Sequence, residues 1–149
     1  MKTEVKKLGD ILRHTFEKGA WHGLALMEVL NSIDEGIVYK KFNANHSIIE
    51  LVAHMTAWRV FVTERLVGNI NFDVNEEMNF PDIKSWQTAV DELVTSQKML
   101  LSALEKFPDD RLGEVVPNRS YKFFTMLHGI VHHDLYHLGQ IVFIKKMHE

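Results

Sequence analysis

Apolar residues recur along the chain at steps of three and four, the spacing that puts them on one face of an α-helix. Val5, Leu8, Leu12 and Phe16 form the first such stripe. Gly19 and Gly23 then bracket Ala20-Trp21-His22 and weaken a continuous helix. A kink or short loop near Trp21 is therefore expected before Leu24, Met27 and Leu30 resume the helical spacing. After the polar stretch Asn43 to His46, Ser47-Ile48-Ile49-Glu50 fits a capping box, in which Ser47 and Glu50 satisfy orphan amides of a first helical turn. The helix that starts there carries Leu51, His54, Trp58, Phe61 and Arg65 on its inward stripe, and Gly68-Asn69 supplies a left-handed stop after about 20 residues.

Asn69 to Asp82 is polar and mixed and reads as a long surface loop ending at Pro81-Asp82. Ile83, Trp86, Val90, Leu93, Gln97, Leu100 and Leu104 mark a third long helix, halted by Pro108, and Asp109 to Ser120, with Gly113 and Pro117, reads as a connection. The last helix carries Met126, Ile130, His133, His137, Ile141 and Ile144 on one face. No strand pattern, internal repeat or glycine-rich phosphate loop competes with this reading. The prediction is an all-α fold, a four-helix bundle with long connections, in which residues 1–149 make a single domain and any site lies between facing helices.

A chain of 149 residues can bury roughly 70% of its unfolded surface around one core, so it needs no covalent staples. It has no cysteine, which excludes disulfides, thiolate metal sites and a cysteine nucleophile. Any metal must be held by histidine or oxygen. The net charge of −3, from 17 basic and 20 acidic residues, offers no broad cationic field for nucleic acid or anionic lipid. The opening Met1 to Lys7 has no apolar segment behind it, and no stretch approaches the ~18 apolar residues of a membrane span. A cytoplasmic protein with no nucleic-acid or membrane partner is expected.

His133 and His137 are four residues apart, so on a helix their rings stand one turn apart and can converge on one ion. His54 lies between Leu51 and Trp58 on the inward face of a different helix. One inward histidine is most simply a hydrogen-bonded core residue. Three of them, costly to bury unsatisfied, point to a three-histidine centre for one divalent metal ion with a position left open for water or substrate.

His133-Asp134-Leu135-Tyr136-His137-Leu138-Gly139-Gln140-Ile141 resembles the C-terminal signature of the DinB/YfiT-like metal-binding superfamily. Ala20 to Gly23, His46 to His54 and Tyr121 to Ile141 resemble its successive blocks in the same order, over nearly the whole chain. The resemblance implies a four-helix bundle with a three-histidine zinc or nickel site, in a superfamily that includes bacillithiol- and mycothiol-dependent transferases. It carries the ligand positions onto His54, His133 and His137. Leu24 is a departure, since similar sequences often have proline there, and this leaves the turn near His22 open.

Around the ligands, Asp134 and Gln140 could orient imidazoles; Asp134 reads equally as a solvated helix acid. Trp58 and Tyr136 could line a cavity beside the ion, or could be plain core. His22 could approach the ion because its flanking glycines permit it, or could be an exposed loop residue. His128 and His132 fall off the ligand face, and His14, His46 and His148 have no evident partner, so all five are expected on the surface.

Two functions follow. In the first, the ion lowers the pKa of a water or an incoming thiol, as in a low-molecular-weight-thiol S-transferase acting on a thiol and an electrophile, or in a small hydrolase. In the second, the ion is structural or sensory, with its fourth position closed by a protein ligand such as His22. A variant of the His-Glu-x-x-His metalloprotease helix is a third reading, but Asp134 is one methylene shorter than that motif's general base and no strand is predicted to hold a peptide. No catalytic residue is assigned. A homodimer is expected from the apolar bundle surfaces of similar proteins.

Overall fold

Six α-helices succeed one another along residues 1–149 in the computed structural model: α1 (Glu4–Phe16), α2 (Leu26–Leu30), α3 (Ile48–Leu66), α4 (Glu76–Asn79), α5 (Trp86–Glu105) and α6 (Phe123–His148). The four long ones, α1, α3, α5 and α6, form the core bundle that the apolar spacing predicts. α2 and α4 are additions in the connections, beside 3-10 turns at Glu35–Ile37 and Asp109–Gly113. The only β-pairing is an isolated antiparallel bridge between Val115 and Lys122. No helix is long and apolar enough to cross a membrane.

Local chemistry sets the helix ends. At the start of α3 the Glu50 carboxylate accepts from the Ser47 amide at 2.7 Å and from its hydroxyl at 2.9 Å, the capping box expected there. At its end Gly68 takes φ +87°, so the Asn69 amide reaches back to the Glu64 carbonyl at 2.9 Å. An L side chain would be strained in that left-handed turn. α5 begins at Trp86, capped by the Ser85 hydroxyl on the Thr88 amide, so Ile83 lies in its approach and not in the helix. The segment between α1 and α2 turns through left-handed Gly19 and Gly23. The helical spacing resumes only at Leu26, for five residues.

α3 is the central element. It packs against both α5 and α6, and 13 of its 19 residues are buried, so the single inward stripe was too narrow a description of it. Apolar side chains gather in two clusters. One joins Leu8 and Leu12 of α1, Phe61 and Val62 of α3, Leu100 and Leu104 of α5, and Phe123 and Leu127 of α6. The other joins Leu26 and Leu30 of α2, Ile48 and Val52 of α3, Leu93 of α5, and Leu138 and Ile141 of α6. Each fully buried leucine or isoleucine contributes about 2 kcal/mol.

On three helices a buried polar residue falls between the two clusters in sequence: Arg59 on α3, Gln97 on α5 and Asp134 on α6. One Arg59 guanidinium nitrogen donates to Gln97 Oε1 and another to Asp134 Oδ2. The Gln97 amide donates to the Leu12 carbonyl of α1 at 3.1 Å. One buried network therefore ties all four long helices together.

Asn69 to Asp82 is not a plain surface loop. It contains α4, and Asn79 and Phe80 at its end fold back over the inward face of α3, where they cover His54. Polar composition concealed this, because the contact is made by one backbone carbonyl and one aromatic ring rather than by a repeating apolar pattern.

Candidate metal centre

His54 is fixed by α3 and the returning strap. Its Nδ1 lies 2.8 Å from the Asn79 carbonyl oxygen, which can only accept, so Nδ1 carries the proton and Nε2 presents a lone pair. Phe80 stacks on the ring at 4.3 Å between centroids, and His46 stacks on Phe80 at 3.7 Å. His137 is set the same way by its own helix: its Nδ1 donates to Gln140 Oε1 at 2.6 Å, which again leaves Nε2 free.

The two lone pairs point at one atom. His133 Nε2 lies 3.0 Å from His54 Nε2 and 3.1 Å from His137 Nε2, and the ligand atoms of the three residues all lie within 4.8 Å of one another. A single proton on His133 Nε2 can satisfy only one of its two neighbours. The other ring nitrogen of His133 is buried with no partner. Extra protons are no remedy, because burial and the neighbouring His137, His54 and Arg59 push His133 down to about 3. Burial also lowers His54 and His137, in spite of the bonds that Asn79 and Gln140 make to them.

A divalent cation fits this donor set. Nitrogens at about 2.0–2.1 Å from a tetrahedral zinc ion lie about 3.3 Å apart, close to the two separations seen. One ion would thus replace mutual lone-pair repulsion among the three imidazoles with three bonds.

The chain is recognisable by family at this point. A sequence profile described as the DinB superfamily matches residues 21–141, and thus runs from before α2 into α6 and includes all three histidines. The chain belongs to the DinB superfamily. No curated protein and no solved structure matches it.

The remaining residues of this DinB-superfamily chain that the sequence singled out are placed as follows. Trp58 is half-buried beside the cluster, its ring 6.3 Å from that of His133, with its indole N–H donating to Asn79 Oδ1 at 2.9 Å. Tyr136 is 67% exposed, with its ring edge-on to His137 at 5.1 Å. Gln140 holds His137. His22 is exposed and is not among the converging histidines.

Asp134 is not a solvated helix acid. It is 3% exposed and bonds to Arg59, not to a ring nitrogen. Burial raises its carboxyl to about 6 while Arg59 pulls the other way, so at neutral pH it is the carboxylate of an ion pair. A carboxylate committed to Arg59 cannot serve as the base of a protease helix. His128 and His148 depart from the surface expectation, since both are half-buried and His128 packs on Phe124 at 4.3 Å; His46 is exposed as expected, but its ring stacks on Phe80 above His54.

Sequence reasoning missed Asn79, Phe80 and Arg59. An arginine flanked by apolar residues in a helix buried on both sides was the one legible sign, and it concerned Arg59 alone. For Gln140 the expected result is definite. Gln140→Ala leaves His137 Nδ1 without its acceptor and should weaken metal binding about 10- to 100-fold at unchanged helicity. Competition titration against a chelator reads the loss, and an affinity equal to the parent would show that Gln140 does not set the ring.

Proposed function

We propose that this chain is a metal-dependent enzyme in which His54, His133 and His137 hold one zinc or nickel ion, and that it transfers a low-molecular-weight thiol to an electrophile or hydrolyses a small substrate. Neutral imidazoles suit both ions. Bound there, the ion would supply Lewis acidity that lets a thiol or water react as an anion at neutral pH.

One observation carries the reading. Three histidines converge and no fourth side chain closes the set, whereas a structural ion is normally closed by a fourth protein ligand. His22, the residue suited to that role, stands exposed. The protein's own groups hold and orient: Asn79 and Gln140 fix the two flanking rings in the tautomer that presents Nε2, and Phe80 and Trp58 exclude water from one side of His54. In a chain without cysteine, the reacting sulfur of a transferase would come from the substrate.

The test uses the cobalt-substituted protein. Imidazole or a small thiol should shift its visible bands by occupying an exchangeable position, and the metal-loaded protein should conjugate a small electrophile with one of several thiols. Bands unmoved across a wide thiol titration would favour a non-catalytic, structural or sensory ion.

A further inference from the structure

Beside His133 the surface opens into a cleft of about 280 Å³. Trp58, Phe61 and Val62 of α3 line it from one side and Met126, Gly129 and Ile130 of α6 from the other, with Tyr121 and Thr125 also in its wall. None of its nine lining residues is an acid, a lysine or an arginine. The indole N–H of Trp58 is already committed to Asn79. Six of the nine lining residues are hydrophobic and none supplies a counter-charge, so desolvating a charged group there would go largely uncompensated.

Gly129 sharpens the point. It sits inside α6, one turn before His133 and on the same face, where glycine costs about 1 kcal/mol relative to alanine. No backbone reason accounts for it, since its φ is not among the positive ones. Close packing does not account for it either, because a Cβ placed there would meet no atom within 4 Å. What the missing side chain provides is the open space of the cleft.

We propose that this cleft is the subsite for a compact, uncharged, apolar group of the substrate, aromatic or branched aliphatic, and that Gly129 sets the size it accepts. The inference rests on the metal-dependent reading above, for it places the apolar part of the electrophile or ester against His133 and leaves its reacting atom toward the three histidines. A cavity of about 150 Å³ holds benzene, so this cleft has room for about two fused rings. Substrates whose reacting carbon bears a charged substituent on that side are excluded by the same wall.

The experiment titrates the metal-loaded protein calorimetrically with uncharged 2-naphthol and with naphthalene-2-sulfonate, while metal content is measured separately. The parent should bind the naphthol and bind the sulfonate at least about tenfold more weakly. Gly129→Leu, whose side chain grows into the cleft, should weaken naphthol binding roughly tenfold or more, with Gly129→Ala in between, both retaining the parent's metal. Gly129→Ala favours the helix and keeps the test readable if the leucine variant folds poorly. Equal naphthol affinity in parent and variants, or equal affinity for the two probes, would overturn the assignment. A protein that binds no metal yet shows the graded loss of naphthol binding supports the cleft and removes the metal-dependent reading, so the two failures are distinguishable.

Discussion

Replacing His133 by alanine is expected to lower divalent-metal affinity by roughly 70- to 1,000-fold, since four-ligand zinc sites bind with about 10–16 kcal/mol, or about 2.5–4 kcal/mol for each ligand. His133 is the residue to test first because both flanking lone pairs face its Nε2. His54→Ala and His137→Ala should fall in the same range. His128→Ala, which alters a ring packed on Phe124, should keep the parent affinity. Elemental analysis after loading, followed by competition with a chelator, reads all four. Parent-like affinity in His54→Ala would place the third ligand elsewhere.

The same residue governs how metal-free stability depends on pH. In the unfolded chain histidine takes its proton near 6.5, whereas folded His133 resists it to about 3 and His54 and His137 are also lowered. Between those limits the unfolded state binds more protons. The stability is therefore complete above about 6.5 and is lost as pH falls toward 3. Asp134, raised to about 6, acts in the opposite sense below that pH, so the histidine contribution is read as a difference: urea midpoints of the metal-free parent should lose more on acidification than those of His133→Ala. Equal pH slopes in the two proteins would contradict a His133 held neutral by its surroundings.

The second large effect belongs to the ion pair between the two apolar clusters. Asp134→Ala leaves the Arg59 guanidinium, which has no exposed surface, without its counter-charge, and breaking a buried pair from one side costs about 3–5 kcal/mol. Against a total of about 5–15 kcal/mol for a domain, the variant should sit close to its unfolding threshold, with Tm lowered by roughly 10 °C. Removing both partners, as Arg59→Met with Asp134→Leu, should recover most of the loss, because the remaining apolar side chains leave no stranded charge. Thermal melts of the two single variants and the double variant decide the matter. Additive losses in the double variant would show that the network is not a pair but an independent set of packing contacts.

Much of this architecture is written in local chemistry that a sequence displays directly. The stripes of α1, α5 and α6, the capping box at Ser47, the left-handed stop at Gly68 and the break near Trp21 depend on residues within one or two turns of each other, and each lies where the spacing predicts it. The convergence of His54 with His133 and His137 was legible for a related reason. Two of them are tied by the helical repeat, and the third needed only an inward helix face.

What the tertiary structure alone decided is set by contacts between residues far apart in the chain and of unlike character. Asn79 reaches His54 through a backbone carbonyl, a group that every residue possesses and no pattern marks. Phe80 and His46 form their stack only because the strap folds back over α3. Arg59 and Asp134, separated by 75 positions, are each improbable in a core until the other is placed beside it, and only then is the burial of either tolerated. The cleft at Gly129 is likewise a property of two helices at their observed separation. Periodicity carries information along one helix, while the pairing of charges, the fixing of imidazole tautomers and the shape of a cavity depend on distances between helices, which no local pattern encodes.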